Sequence, residues 1–484
     1  MTSRASARAA RALVVLVPVV AMGAVSRVPS AAAQGLDFVR VWTQTVSDGR
    51  PITLSSPNVA TLDGAPAVVV GDQGGDISAF SLAHGMPVRG WPVTTGGIPI
   101  GSTPSVAALQ AGSPDDTVLI GAGYAGKPHE GGYMAFNPNG TLRWSVGVHN
   151  PSAPYVSGIV ASLAVGDLQG GTDVVAPSIG EEQDAINAVT GTVLPGFPWF
   201  QADGDYATPA LADLYGNGKT EIVEGGGQTA GNAYGVQYPQ GGHIRVVSVT
   251  GNAGTGKPAG GLQCNYNPGQ SVDSSPAVGR FLKGDGEGIV AGTGNFWPHA
   301  PGTDEVFAVS SQCALVWSAR LDGLTTSSPA LADLSSNGSL DVVEGTNDLH
   351  GGGSVYALSG ATGAVLWRQA ALGEVVGSVV TADLGAGQQD VIVAGTGGAE
   401  VLDGRNGTVL AILEKGVGLQ NSPLVTDDPN GEIGVTVAGS NAHDVGEVDH
   451  YELAGSAGAD VDQAGGWPMF HHDPRLSGNA EAPL

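Results

Sequence analysis

Short apolar runs, some alternating with polar residues and some continuous, are separated by Gly-, Asn- and Asp-rich punctuation from about residue 36 onward. Runs of this length with a period of two predict β-strands and turns rather than helices. One run recurs. It reads SSPALADL from Ser327, SSPNVATL from Ser55, STPSVAAL from Ser102, ATPALADL from Ala207, SSPAVGRF from Ser274 and NSPLVTDD from Asn421. Two weaker copies, SGIVASLAVGDL from Ser157 and GSVVTADL from Gly377, fill the gaps. Pro57 and Pro423 bound seven intervals, so the repeat is about 52 residues long and occurs eight times.

Each copy continues in the same order. An aliphatic strand ending in small residues comes next (AVVVGD, TVLIGAG, DVVEGT), then an alternating strand (ISAFSL, VFAVSS, SVYALS), then a strand bearing an aromatic (LRWSV, LVWSA, VLWRQ). Four short strands per repeat predict an all-β fold, a β-propeller of eight four-stranded blades, with seven as the alternative. The N-terminal LDFVRVWTQTV reads as an orphan fourth strand that would pair with the last blade and remove an exposed sheet edge. The tail GGWPMFHHD from Gly465 is the competing closure. The expected arrangement is a single propeller over 36–464 closed by the N-terminal strand, with the tail 465–484 packed outside it.

Composition agrees with this class. Glycine occurs 78 times and aromatics are 6% of residues, which suits turn-rich β structure and not helical bundles. The first 33 residues carry four arginines (Arg4, Arg8, Arg11, Arg27), no acids, an apolar run LVVLVPVVAMGAV and then SAAAQ. That is the pattern of a secretory signal peptide cleaved after Ala33, so the chain is expected to be secreted, with no later membrane span. Of 19 basic residues, 15 remain after the leader, against 45 acidic ones. A charge near −30 repels nucleic acid and anionic lipid and favours cations or neutral polymers. Cys264 and Cys313, the two cysteines of an exported chain, are expected to form a disulfide.

The sequence of an Asp, a turn ending in Asn-Gly, then an acid and an aliphatic strand resembles FG-GAP (VCBS-type) repeats. The strand after ALSGATGAVLWR resembles pyrroloquinoline-quinone-type propeller repeats, and WPMFHHDPRLSG resembles the ending of many exported proteins that carry them. The FG-GAP resemblance implies calcium in the turn after a blade's first strand, where six to eight hard oxygens would have to converge. Asp333, Ser335, Asn337 and Asp341 fit alternate positions of such a loop, as do Asp213, Asn217 and Glu221. A hairpin whose leading Asp caps its own turn explains the same residues.

A second recurrence lies in the connection after the second strand. It carries His129, His299, His350 and His443, with Trp297 and Asp444 nearby. A propeller places these connections on one face around the channel mouth, where imidazoles and carboxylates could ligate a metal or exchange protons. No nucleophile elbow, zinc motif or phosphate loop is present. The quinoprotein resemblance implies a vicinal Cys-Cys pair under the quinone; this chain has none, so a bound quinone is disfavoured. His471 and His472 read as a terminal packing motif. The expectation is a monomeric, exported binding module for an extracellular protein or glycan, with no catalytic residue assigned. A carbohydrate-binding or polysaccharide-acting role is the alternative, and a quinone-dependent oxidoreductase the least favoured.

Overall fold

The computed structural model describes residues 35–484 apart from 124–130, 149–157, 228–233, 235, 237, 254–259, 285, 298, 459–460 and 462–464. Eight antiparallel four-stranded sheets make up the molecule. Their first strands are Asn58–Leu62, Ser105–Ala107, Ala164–Asp167, Ala210–Ala212, Ala277–Gly279, Ala330–Ala332, Val380–Asp383 and Leu424–Asp427, numbering blades 1 to 8. Each first strand contacts those of both neighbouring blades, and the blade 8 strand contacts that of blade 1, so these strands line a closed ring around a channel. The chain forms an eight-bladed β-propeller. The N-terminal strand Phe38–Thr45 pairs with Gly446–Leu453 and supplies the outer strand of blade 8. No helix among the described residues is long and apolar enough to cross a membrane.

Burial follows strand position. The second strands are covered on both faces by neighbouring blades, and Thr117–Gly123 is buried at every residue. Their terminal glycines are set by packing: a Cβ on Gly121 would lie 2.4 Å from Ile159 Cγ2, on the segment leading into the next blade. Most outer strands are largely exposed, and Trp317 is the one buried residue of Leu315–Arg320.

That buried aromatic locks six of the eight blade junctions. The indole N–H of Trp42, Trp91, Trp144, Trp199, Trp317 and Trp367 donates across the junction to the carbonyl of Leu82, Pro138, Ala188, Gly260, Gly360 and Gly404 respectively, at 2.7–3.1 Å. A glycine in the facing turn makes room: Cβ atoms on Gly191, Gly363 and Gly407 would meet the indole at 2.7, 2.5 and 2.7 Å. All three have positive φ, which an L side chain tolerates poorly.

The junction between blades 4 and 5 replaces this pair covalently. Cys264 takes the tryptophan's place, opposite Val246 as Trp317 is opposite Ala308. Cys313 takes the glycine's place with φ 55°, and the two form the expected disulfide across a Cα–Cα distance of 5.7 Å. Between blades 7 and 8, Ala411 stands where the tryptophan would, opposite Val401. A cleft of about 550 Å³ opens at that junction, lined by Leu36, Leu384, Leu453 and small residues of two turns.

Candidate functional site

Antiparallel pairing sorts the connections. Loops between second and third strands share one face with the segments leading into each first strand; the remaining turns share the other face. The lead-in segments carry the SSP-type motif, and its second residue forms a belt. Each backbone N–H donates to the hydroxyl of the next blade: Ser56 to Thr103, Thr103 to Ser162, Ser162 to Thr208, Thr208 to Ser275, Ser275 to Ser328, Ser378 to Ser422 and Ser422 to Ser56, at 2.8–3.0 Å. Only the blade 6 to blade 7 link is missing from the circuit among the described residues, and there the Ser378 hydroxyl is buried without a hydrogen-bond partner.

Three residues further along each first strand, about 10 Å at strand rise, the channel is filled. The C-terminal tail does not pack outside the propeller, as the sequence suggested, but lies inside it. Thr381, Val425, Val106, Val165, Leu211 and Val278 donate their backbone N–H to the carbonyls of Trp467, Pro468, Pro474, Arg475, Ser477 and Gly478 in turn, at 2.8–3.0 Å. In blade 1, Asn58 Oδ1 caps the Val59 amide while its Nδ2 donates to Pro474. The reason is bookkeeping of polar groups: strands lining a channel leave inward amides unpaired, and buried amides need acceptors. His471 and His472 are buried in this segment; His471 sets Nδ1 2.8 Å from the Leu476 carbonyl and Nε2 3.2 Å from the Pro276 carbonyl, and because burial pushes its pKa down to about 4 the neutral ring donates its one N–H to one of the two.

The loop face is organised differently. His299, His350 and His443 are exposed and stand on blades 5, 6 and 8. Their neighbouring polar groups serve their own loops: Asp348 accepts the amides of His350 and Gly352, and Asn441 accepts the amide of His443. Those amide bonds, to Gly352 first, hold the Asp348 carboxyl below its usual range. Asp444 is exposed at φ 59°. Among the described residues no hydrogen bond or ion pair joins the imidazole ring of His299, His350 or His443 to a carboxylate. Trp297 is fastened at its backbone by Gln270 and packs edge-on against exposed Phe296, with ring centres 5.0 Å apart. His129 lies outside the described residues.

On the opposite face, the turns after Asp213 and Asp333 are alike. Both carboxylate oxygens of Asp333 accept amides, from Asn337 and Gly338, and both of Asp213 accept from Asn217 and Gly218. Asn337 Oδ1 accepts from Ser339, Asp341 accepts the Ser335 hydroxyl, and Glu221 accepts the Leu214 amide. A calcium ion in either turn would have to share oxygens that the hairpin already uses.

A polar cluster that the sequence did not single out lies between blades 3 and 4. Glu224 is fully buried, with Oε1 3.5 Å from Arg245 Nη1 and 3.6 Å from His243 Nε2. Arg245 also donates to the Gln201 carbonyl and lies 3.6 Å over the Tyr238 ring. Burial raises the Glu224 carboxyl to about 7 against the pull of Arg245, and burial drives His243 well below its usual range. Asp205 is raised by burial and then by Glu224. The set is closed to solvent. Closer to the loop face, burial lifts Asp273 to about 6, and the half-exposed Tyr206 ring stands beside Asp273 and Asp203.

No family model matches the chain, and no curated protein does either. Among solved structures it is similar to Saccharomyces cerevisiae Sqt1 (TM-score 0.59, 11% identity, covering 87% of this chain and 98% of that one). It is also similar to BamB from Moraxella catarrhalis (0.52, 15%, 86% and 100%). A quinohemoprotein alcohol dehydrogenase from Comamonas testosteroni matches at a TM-score of 0.42, with 13% identity over 87% of this chain and 77% of that one. At such identities the first two likenesses speak for the propeller fold alone.

Proposed function

We propose that the protein is an exported, monomeric propeller that binds an extracellular protein or glycan on its loop face and performs no catalysis. The observation that carries this reading is the filled channel. With the axis occupied by the chain's own tail, the open surface available to a ligand is the ring of loops bearing Phe296, Trp297, His299, His350 and His443. Those loops are fastened by Gln270, Asp348 and Asn441, so the exposed side chains between them vary without cost to the ring.

The carbohydrate-binding version of this reading is favoured by one feature. Phe296 and Tyr206 give the face exposed aromatic surface in blades 5 and 4, with the half-buried Trp297 against Phe296 and with Tyr206 near Asp203 and Asp273. Flat apolar rings beside carboxylates suit a sugar's apolar face and its hydroxyls. A quinone-dependent oxidoreductase is disfavoured, because the one disulfide joins an outer strand to a turn at the rim. Calcium in the turns after Asp213 and Asp333 and an FG-GAP ancestry are finer parts of the proposal.

A glycan array and a metal screen on the chain from residue 34 test it. Saturable binding that is lost in Trp297→Ala with unchanged melting supports the reading. Binding that survives removal of the aromatic pair, or turnover of a redox dye with added quinone and calcium, contradicts it.

A further inference from the structure

The tail is built like a ligand. It follows blade 8 in the chain and contacts the ring mostly through backbone carbonyls. Its partners run from Val106 to Val425, so no docking surface exists until nearly the whole ring has assembled. The segment also carries its own internal structure. His472 N–H donates to the Met469 carbonyl, Leu476 to Asp473 and Gly478 to His471, and Asp473 accepts the Arg475 amide and the Ser477 hydroxyl. His471, His472 and Leu476 sit at φ 59°, 82° and 57°, a compact looped shape unlike any blade strand. Gly478 is required inside it, because a Cβ there would lie 2.5 Å from the His471 ring.

Two side chains give the segment its address. Trp467 is fully buried, exchanges both backbone hydrogen bonds with Thr381, and meets the His472 ring edge-on at 4.8 Å. His471 reaches the Pro276 carbonyl of blade 5. Backbone pairing to exposed strand amides supplies affinity, and side-chain pockets supply selectivity, as in other strand-edge recognition.

We propose that the channel is a peptide-binding site whose resident ligand is the chain's own segment Gly466–Ala480, and that it accepts the same segment in trans from a second copy. The tether raises the local concentration of the resident tail far above that of a free one. Exchange therefore occurs only when the resident tail is cut or weakened. The recognised chemistry is a Trp-Pro lead followed by a His-His-Asp-Pro turn and a Ser-Gly exit.

The test uses a fluorescent peptide of residues 465–484 and the full chain in three forms: unaltered, Trp467→Ala, and carrying a site-specific protease sequence between Gly458 and Gly465 that is cut after folding. The unaltered chain is expected to ignore the peptide. The cut chain, freed of its tail in denaturant too mild to unfold the ring, is expected to capture it, and an Asp473→Ala peptide should bind at least tenfold more weakly. The Trp467→Ala chain is expected to capture it without cutting, which keeps the test open should the insertion prevent folding. Capture of a scrambled peptide with equal strength would mean simple apolar filling and would overturn the proposal. So would a cut tail that never exchanges while the ring stays folded, or a ring that releases its tail and takes up nothing.

Discussion

The channel and the loop face are a few residues apart along every first strand, yet their polar groups are partnered on opposite plans. In the channel the partners come from elsewhere: Thr208 N–H needs the Ser275 hydroxyl of the next blade, and Leu211 N–H needs Ser477 of the tail. On the loop face the partners are local, as Asp348 is to His350 and Asn441 is to His443. Shared partners couple the blades into one cooperative unit, so a loss in the channel is felt around the ring. Self-contained loops carry no such duty. The difference concentrates the hydrogen bonds shared between blades at the axis and leaves the loops at the rim with partners of their own.

Substitutions can break that contrast, and the largest effect is expected at the axis. Trp467→Ala removes a fully buried indole and loosens the tail, for an expected loss of about 3–5 kcal/mol in urea unfolding. A loss below about 1 kcal/mol would mean that the tail is peripheral to the fold. Next comes the covalent junction: the double change Cys264→Ser, Cys313→Ser opens a link between residues 49 apart and is expected to cost about 2–4 kcal/mol by the same measurement. An unchanged midpoint would show that the blade 4 to blade 5 contact needs no lock. In the belt, Ser275→Ala leaves the buried Thr208 amide without its acceptor, an expected cost of about 1–3 kcal/mol. The same change at Ser378, whose hydroxyl has no hydrogen-bond partner, should cost less, and reversal of that order would dissolve the belt as a stabilising device. Smallest of all, His299→Ala and His350→Ala are expected to stay within about 0.5 kcal/mol. A larger loss at either would show that the loops are not autonomous.

The fold was legible because its signals are local. Repeated SSP-type starts, alternating strands and the spacing of the aromatic strand specify eight blades, and the orphan strand at Phe38 identifies its own partner by lacking three predecessors. The disulfide followed from compartment and count. Its meaning did not, because recognising Cys264 and Cys313 as stand-ins for a Trp and a Gly requires the register between blades. The hydroxyl belt was visible only as a pattern: Ser or Thr recurs at the second motif position in every copy, from Ser56 to Ser422. Periodicity cannot say what such a hydroxyl bonds when its partner is about one repeat away.

The tail was misjudged for a physical reason. WPMFHHD resembles a fourth strand in composition, and nothing local reveals that its carbonyls answer amides spread over the whole ring. Glu224, His243 and Arg245 were missed likewise, since they lie in ordinary strand positions and meet only through packing. The histidine loops were found readily and placed on one face, but residues on separate blades of a wide ring share a surface without sharing a contact.

Amide hydrogen exchange on the intact protein bears most directly on the filled channel. Peptides covering Val106, Val165, Leu211, Val278, Thr381 and Val425 are expected to exchange as slowly as the buried second strands, because the tail must leave before these amides open. If they exchange quickly while the second strands stay protected, the channel is not held by the tail and the account of the axis is wrong.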